Sequence, residues 1–372
     1  MQTNQHDFTK KRAMSELFHK VKIQFEKKLP FAVYCKPNSG KMIALLQHDN
    51  SFQNVNETNI KGFIFTSFDG KKSCLIPKNL SNTIVEKVDE TTFFVQKKRK
   101  VEINENDKLN FENLVEKGVE AIKNKKFEKV VLSRNEIVSI RKFDLETTFF
   151  NLIQNYESAF KYCFYHPEIG LWMGATPEQF LKVDNDVIKT VALAGTQLFP
   201  EKIPIKWEQK ESNEQQIVTD FIVNSLQRFV YGVTISNPVT QRAGNLVHLK
   251  STIEAKMNSI FDLDKIIEAL HPTPAVCGFP KEKAEKFIKE NEGYDREFYT
   301  GFLGEWNHDF LTWENHKFDL FVNLRCMKID YDSKIEITKA KIYVGCGITE
   351  ESNPEKEFLE TVNKSMTMKK VL

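Results

Sequence analysis

The chain has little net charge, no long apolar run and no closely spaced cysteine pair, and each absence closes a class of explanation. Its 372 residues carry 53 Lys and Arg against 51 Asp and Glu, a net charge of +2. So even a balance supplies no broad field for nucleic acid or anionic lipid. No run approaches the roughly 20 apolar residues of a membrane span. The six cysteines (Cys35, Cys74, Cys163, Cys277, Cys326 and Cys346) are scattered without a CxxC. Neither a zinc site nor a disulfide framework is indicated, and reduced thiols are expected. Residues 1–12 are polar with no apolar core, so no signal peptide is expected. There is no internal repeat, no low-complexity tract and no GxGxxG. Strands and helices do not alternate regularly, which argues against a Rossmann fold and for an α+β architecture. The expectation is a soluble, cytoplasmic protein with no nucleic-acid or membrane partner.

What is present is a large apolar complement, 41% of residues and 30 Phe. That suffices for a core the chain buries by itself, so a monomer is expected. Residues 7–28 have the spacing of an amphipathic helix. Strands are predicted at 31–35, 42–46, 62–66 and 73–76. The charged stretch 95–109 reads as a linker, and its basic run Lys97–Lys100 is too short and too close to acids to be a nucleic-acid arm. This divides the chain into residues 1–109, an N-terminal α/β segment packed onto or part of the main domain, and residues 110–372. In the second part, helices are predicted at 111–123, 145–156, 206–229 and 262–270. Strands are predicted at 129–134, 162–165, 171–173, 180–183, 187–193, 320–328 and 335–344.

Several positions in this pattern are able to carry chemistry, and each has a plainer reading. Lys129 opens an apolar strand and is either a snorkelling edge lysine or a desolvated general base. Glu178, in Gly174-Ala-Thr-Pro-Glu178, is either an exposed turn carboxylate or a buried acid kept protonated. Gly195-Thr196 ends a strand in a corner that presents N–H and hydroxyl groups to an anion, or is only a turn. Glu214 lies early in the long helix, where a glutamate is normally solvated. His271, in His271-Pro-Thr-Pro, is a ligand contact or a loop hydrogen-bonder. The segment 296–304 reads as a strand approaching a close glycine contact. Arg325 is a cation within an apolar strand, either an ion-pair partner or a carboxylate clamp. Finally, Tyr343 and Val344 run into a tight Gly345-Cys346-Gly347 turn, followed by a helix with Ser352 and Glu355 at capping-box spacing and Pro354 in its first turn. Glu357, Glu360 and Lys364 then share one helix face, as a solvated surface or as a site for a divalent cation and an anion.

Taken together and in order, KVVLSR (129–134), GATPEQFL (174–181), LAGT (193–196), KESNEQQIV (210–218), HPTPAVCGFP (271–280), FYTGFLGEW (298–306), NLRC (323–326) and YVGCGITEESNPEKEFLETVNK (343–364) resemble the chorismate-utilising enzyme family, most closely its isochorismate synthases. The likeness covers roughly residues 110–370. It implies the chorismate-binding fold, two stacked antiparallel sheets flanked by helices, with chorismate as substrate and Mg²⁺ as cofactor. By motif, Glu214 and Glu360 would ligate the metal, with Glu357 nearby and acting through water. Arg325 and Lys364 would hold substrate carboxylates, aided by Tyr343, Gly195 and the Gly345 backbone, with Thr196 and His271 as further contacts. The family divides by nucleophile, and Lys129 together with Ala194, where aminodeoxychorismate synthases carry lysine, resembles the water-using members. Lys129 would deprotonate water for attack at C2, and protonated Glu178 would donate to the departing C4 hydroxyl. The product would be isochorismate, for menaquinone or siderophore synthesis. Gln215 and Gln197 depart from the His and Arg common in relatives. The competing expectations are a salicylate synthase, which also eliminates pyruvate, and a non-catalytic chorismate-binding protein.

Overall fold

The seven residues Phe160–His166 are buried without exception, as expected of a strand covered on both faces. Phe160, Tyr162 and Phe164 enter one apolar cluster, whereas Cys163 and Tyr165 enter another. This is the period of two that a pleated strand imposes. The computed structural model describes residues 15–55, 59–88, 103–199, 204–243, 246–331 and 337–372.

The described chain opens with α1 (Glu16–Glu26), followed by β1 (Phe31–Cys35), β2 (Lys41–Gln47), β3 (Gly62–Thr66), β4 (Ser73–Pro77) and β5 (Ser81–Lys87). Next come α2 (Glu105–Lys123), β6 (Lys129–Arg141), α3 (Leu145–Asn155), β7 (Phe160–His166), β8 (Gly170–Thr176), β9 (Gln179–Asp184) and β10 (Val187–Leu198). After α4 (Gln209–Leu226) lie β11 (Val230–Ile235), β12 (Val239–Ala243) and β13 (Leu246–Met257). The remainder is α5 (Leu263–Leu270), β14 (Gly278–Phe279), α6 (Lys281–Asn291), β15 (Phe302–Trp306), β16 (Lys317–Val322), β17 (Cys326–Asp330), β18 (Ile337–Ile348) and α7 (Pro354–Lys369).

Two nine-stranded sheets result. The first runs β14-β6-β18-β17-β8-β7-β1-β2-β5, and the second β11-β13-β10-β9-β16-β15-β3-β4 with β12 also on β13. An aromatic layer fills the space between them, with Phe160 stacked on Phe321 at 4.4 Å and Trp172 on Tyr343 at 5.2 Å between ring centroids. Helices α1 and α3 cover the outer face of the first sheet through Phe18, Phe149 and Phe150. Helices α4 and α5 cover the second through Val218, Ile222 and Ile266. Helices α2, α6 and α7 close over β6 and β18. The fold is thus α+β, two stacked antiparallel sheets flanked by helices. Strand β1 pairs with β7 and β3 with β15, so residues 31–87 supply strands to both sheets. Among the described residues, no helix is long and apolar enough to cross a membrane.

Several local expectations are corrected. Within the predicted 7–28 helix, α1 spans only Glu16–Glu26, and residues 7–14 lie outside the described residues. Helix α2 begins at Glu105, inside the expected linker, because the Asn104 side chain caps it by accepting from the Asn106 and Asp107 N–H groups. The run Lys97–Lys100 lies outside the described residues. The single strand predicted at 320–328 is two strands in different sheets, and Arg325 sits between them with a positive φ of 48°. Residues 296–301 form a turn that precedes β15. Gly345, Cys346 and Gly347 form no turn: they lie in β18, opposite Ser133, Leu132 and Val131 of β6. Strand β10 continues past Gly195 to Leu198 through an irregularity in its pairing with β13. Finally, α7 is capped by Asn353, which accepts from Lys356 N–H, while Ser352 Oγ accepts from Thr349 N–H. Pro354 does occupy the first turn.

Candidate active site

The first sheet delivers Lys129 and the connection between the sheets delivers Glu178. Lys129 is the first residue of β6, paired to Phe279 of β14, and only 3% exposed. Its side chain runs over Gly347 of β18, where a Cβ would stand 3.1 Å from Lys129 Cε and 3.5 Å from Nζ. Any larger residue at 347 would push the amine aside.

Glu178 lies in the two-residue link from β8 to β9, its carbonyl accepting from Val322 N–H at 3.0 Å. Burial raises its carboxyl to about 7, against the pull of the Lys129, Lys364 and Arg325 charges. A carboxyl in that range is available as a proton donor near neutral pH.

Helix α7 sets Glu357, Glu360 and Lys364 on its inner face. Lys364 Nζ lies 2.7 Å from Glu360 Oε1 and donates to the Gly345 carbonyl at 2.8 Å, bolting the helix to β18. Arg325 stands opposite. Its carbonyl accepts from Ala175 N–H at 3.0 Å and its Nη1 donates to Thr367 Oγ1 at 3.4 Å. Burial lowers the guanidinium's pKa, with Tyr299 and Glu360 among the groups that oppose the shift.

The second sheet closes the site. Gly195 has φ of 71°, and a Cβ there would meet Glu211 Cβ at 2.9 Å, so a glycine is required where β10 passes α4. His248 of β13 donates from Nδ1 to the Gly195 carbonyl at 3.2 Å. Burial, with the Arg325 and Lys364 charges, depresses its pKa to about 3, so the ring is neutral. Gln215, one of the two departures, is a structural tie: its amide donates to Thr219 Oγ1 at 2.9 Å and Ser251 Oγ at 2.8 Å.

Lys129, Glu178, Gly195, Glu214, Arg325, Tyr343, Gly345, Glu357, Glu360 and Lys364 line one cavity. His271 does not. It ends α5, its Nε2 donates to Ser67 O at 3.2 Å, and its ring packs between Phe180 and Phe302. Thr196 lies in β10, and its side chain is outside what the structure describes. Tyr343 contributes its ring rather than its hydroxyl, which donates to Glu297 Oε1 at 2.8 Å. Sequence reasoning missed His248, Tyr299, Thr300 and Glu211 in the lining. The period of two in β13 buries Val247, Ser251, Ile253, Ala255 and Met257 and assigns His248 to the opposite face, with Lys250, Thr252 and Glu254, so the local pattern held no signal for it.

The donor set suits a hard cation. Glu211, Glu214, Glu357 and Glu360 bring only carboxylate oxygens to the cavity. Among the described residues, no group of three His, Cys, Asp or Glu is gathered closely enough to form a metal cage. Magnesium tolerates this, since it keeps waters and takes one or two protein carboxylates with substrate oxygens.

A family model described as chorismate binding enzyme matches residues 69–372. The chloroplastic isochorismate synthase of Catharanthus roseus is 29% identical over 278 residues, covering 72% of this chain and 46% of that protein. Isochorismate synthase MenF of Bacillus subtilis is 29% identical over 275 residues, covering 70% and 55%. The chain thus spans about half the length of these curated relatives. Among solved structures, the menaquinone-specific isochorismate synthase MenF from Escherichia coli superposes with a TM-score of 0.73 at 18% identity, covering 92% of this chain and 88% of that one.

Proposed function

This chain belongs to the chorismate binding enzymes, and from that membership we propose that it is an isochorismate synthase. The observation that carries the reading is that Lys129 and Glu178 line one cavity, the carboxyl raised to about 7 by burial.

In this mechanism Arg325 and Lys364 hold the two carboxylates of chorismate and fix the ring between them. Lys129, as the general base, takes a proton from water as its oxygen bonds to C2. The ring double bonds shift, and the C4 hydroxyl leaves as water with the Glu178 proton. One water enters and one departs, so the product is an isomer. The remaining negative pole of the cavity fits a cofactor role: Glu214 and Glu360 would hold Mg²⁺, with Glu357 acting through water. When bound, the ion neutralises a ring carboxylate and supplies electrostatic orientation. Ala194 lines the cavity without an amine to compete with water as nucleophile. We further assign the enzyme to the cytoplasm as a monomer, feeding menaquinone or catecholate siderophore synthesis.

The test is product identification. Purified protein with chorismate and Mg²⁺ is expected to give isochorismate as the main product by chromatography. Salicylate with stoichiometric pyruvate would replace this reading by a salicylate synthase. Binding without turnover would leave a chorismate-binding protein.

A further inference from the structure

A second hollow adjoins the catalytic cavity, and Arg325 and Pro177 line both. Its walls come from β12, from the end of α3 and from the last turns of α7. Its charged residues are Arg242, Arg325 and Lys370 against Glu157 alone, an excess of two positive charges. The catalytic cavity carries Glu211, Glu214, Glu357 and Glu360 besides the proton-donating Glu178, against Lys129, Arg325 and Lys364, so it offers an incoming anion no such positive excess. The wider groove beside α1 holds five lysines but also Glu26, Asp144, Glu297 and Asp330, and shares no lining residue with the catalytic cavity. At the junction, Arg325 Nη1 reaches Thr367 Oγ1 at 3.4 Å, a long contact to a neutral hydroxyl that a carboxylate readily outcompetes.

We infer that this basic hollow is the approach path and outer anion subsite for a dicarboxylate substrate, with Lys370 and Arg242 drawing the anion to Arg325. The inference rests on the proposal that the chain turns over chorismate. Lys370 and Arg242 lie outside the reacting cavity, so they act on capture and not on chemistry.

The experiment compares the wild type with Lys370→Glu, Arg242→Glu and a remote control, Lys286→Glu, an exposed position on α6. Steady-state rates with chorismate and Mg²⁺ are measured at about 20 mM and about 300 mM ionic strength, where the Debye length shortens severalfold. At low salt, each hollow variant is expected to lose about threefold to tenfold in kcat/KM with kcat kept within about twofold. The loss shrinks at high salt, and the control keeps the wild-type value. Unchanged kcat/KM in both hollow variants overturns the inference, as does an equal loss in the control or a loss that high salt leaves intact. A wild type that does not convert chorismate overturns the underlying proposal and this inference with it. A wild type that does, beside unaffected variants, overturns this inference alone.

Discussion

Lys364 and Glu360 form a 2.7 Å ion pair across one turn of α7, inside the cavity that both line. The ammonium therefore neutralises a carboxylate that would otherwise face Mg²⁺. Removing it has two opposite consequences. With Lys364→Met, KM for chorismate should rise about 10-fold to 100-fold, the worth of a charge-assisted contact to a substrate carboxylate. Mg²⁺ binding without substrate, measured by calorimetry, should tighten because a competing cation is gone. Weaker Mg²⁺ binding in that variant would remove Glu360 from the metal's ligands.

Glu178 gives the pH dependence. Burial raises its carboxyl to about 7, above the ordinary glutamate value of 4.5. The proton-donating form is lost as pH rises through about 7, so kcat/KM should fall on that side, approaching tenfold per unit. The same shift is a stability statement. The buried protonated acid favours the fold below about 4.5, and that contribution disappears as pH rises through 7. Glu178→Gln should abolish turnover and unfold with a flatter pH profile, the difference from wild type reaching on the order of 3 kcal/mol. A flat rate from pH 6 to 9 would show that another group supplies the proton.

How far the sequence discloses this site depends on how each residue is held. The strand carrying Lys129 and the helix carrying Glu357, Glu360 and Lys364 were legible, because a local apolar period fixes both. Arg325 was misplaced within a strand because Leu320–Val322 and Cys326–Met327 are apolar on both sides of it. Only the sheet pairing shows that the chain crosses from one sheet to the other there. Gly345 and Gly347 looked like a turn, yet twelve consecutive pairings with β6 keep them extended. His248 was missed because β13 mixes Lys250, Thr252 and Glu254 with its buried residues, and His271 was overvalued because its ring fills an apolar gap. Long-range packing, which local composition does not encode, decides these positions.

Gly195 is the backbone point on which the second sheet and α4 meet. Its φ of 71° and the 2.9 Å separation from Glu211 Cβ leave no room for a methyl group. Gly195→Ala should cost about 1–3 kcal/mol of stability and displace α4 with Glu214, so both the melting temperature and Mg²⁺ affinity should fall. A variant with the wild-type melting temperature would mean that the bulge in β10 relaxes without strain.

Lys129 tests the nucleophile assignment most directly. Its side chain is buried where β6 pairs with β14 and lies against the Gly347 surface of β18. Lys129→Ala should lower isochorismate formation by about 10²–10⁴, the usual contribution of a positioned base. The truncation leaves a space bordered by glycine, so methylamine in the buffer should restore part of the rate by entering it as a soluble base. Rescue separates a lost base from a collapsed wall, because an amine in solution does not repair packing. Turnover of Lys129→Ala at the wild-type rate would assign the base to another residue of the cavity, and the neutral ring of His248 would then be the first to examine.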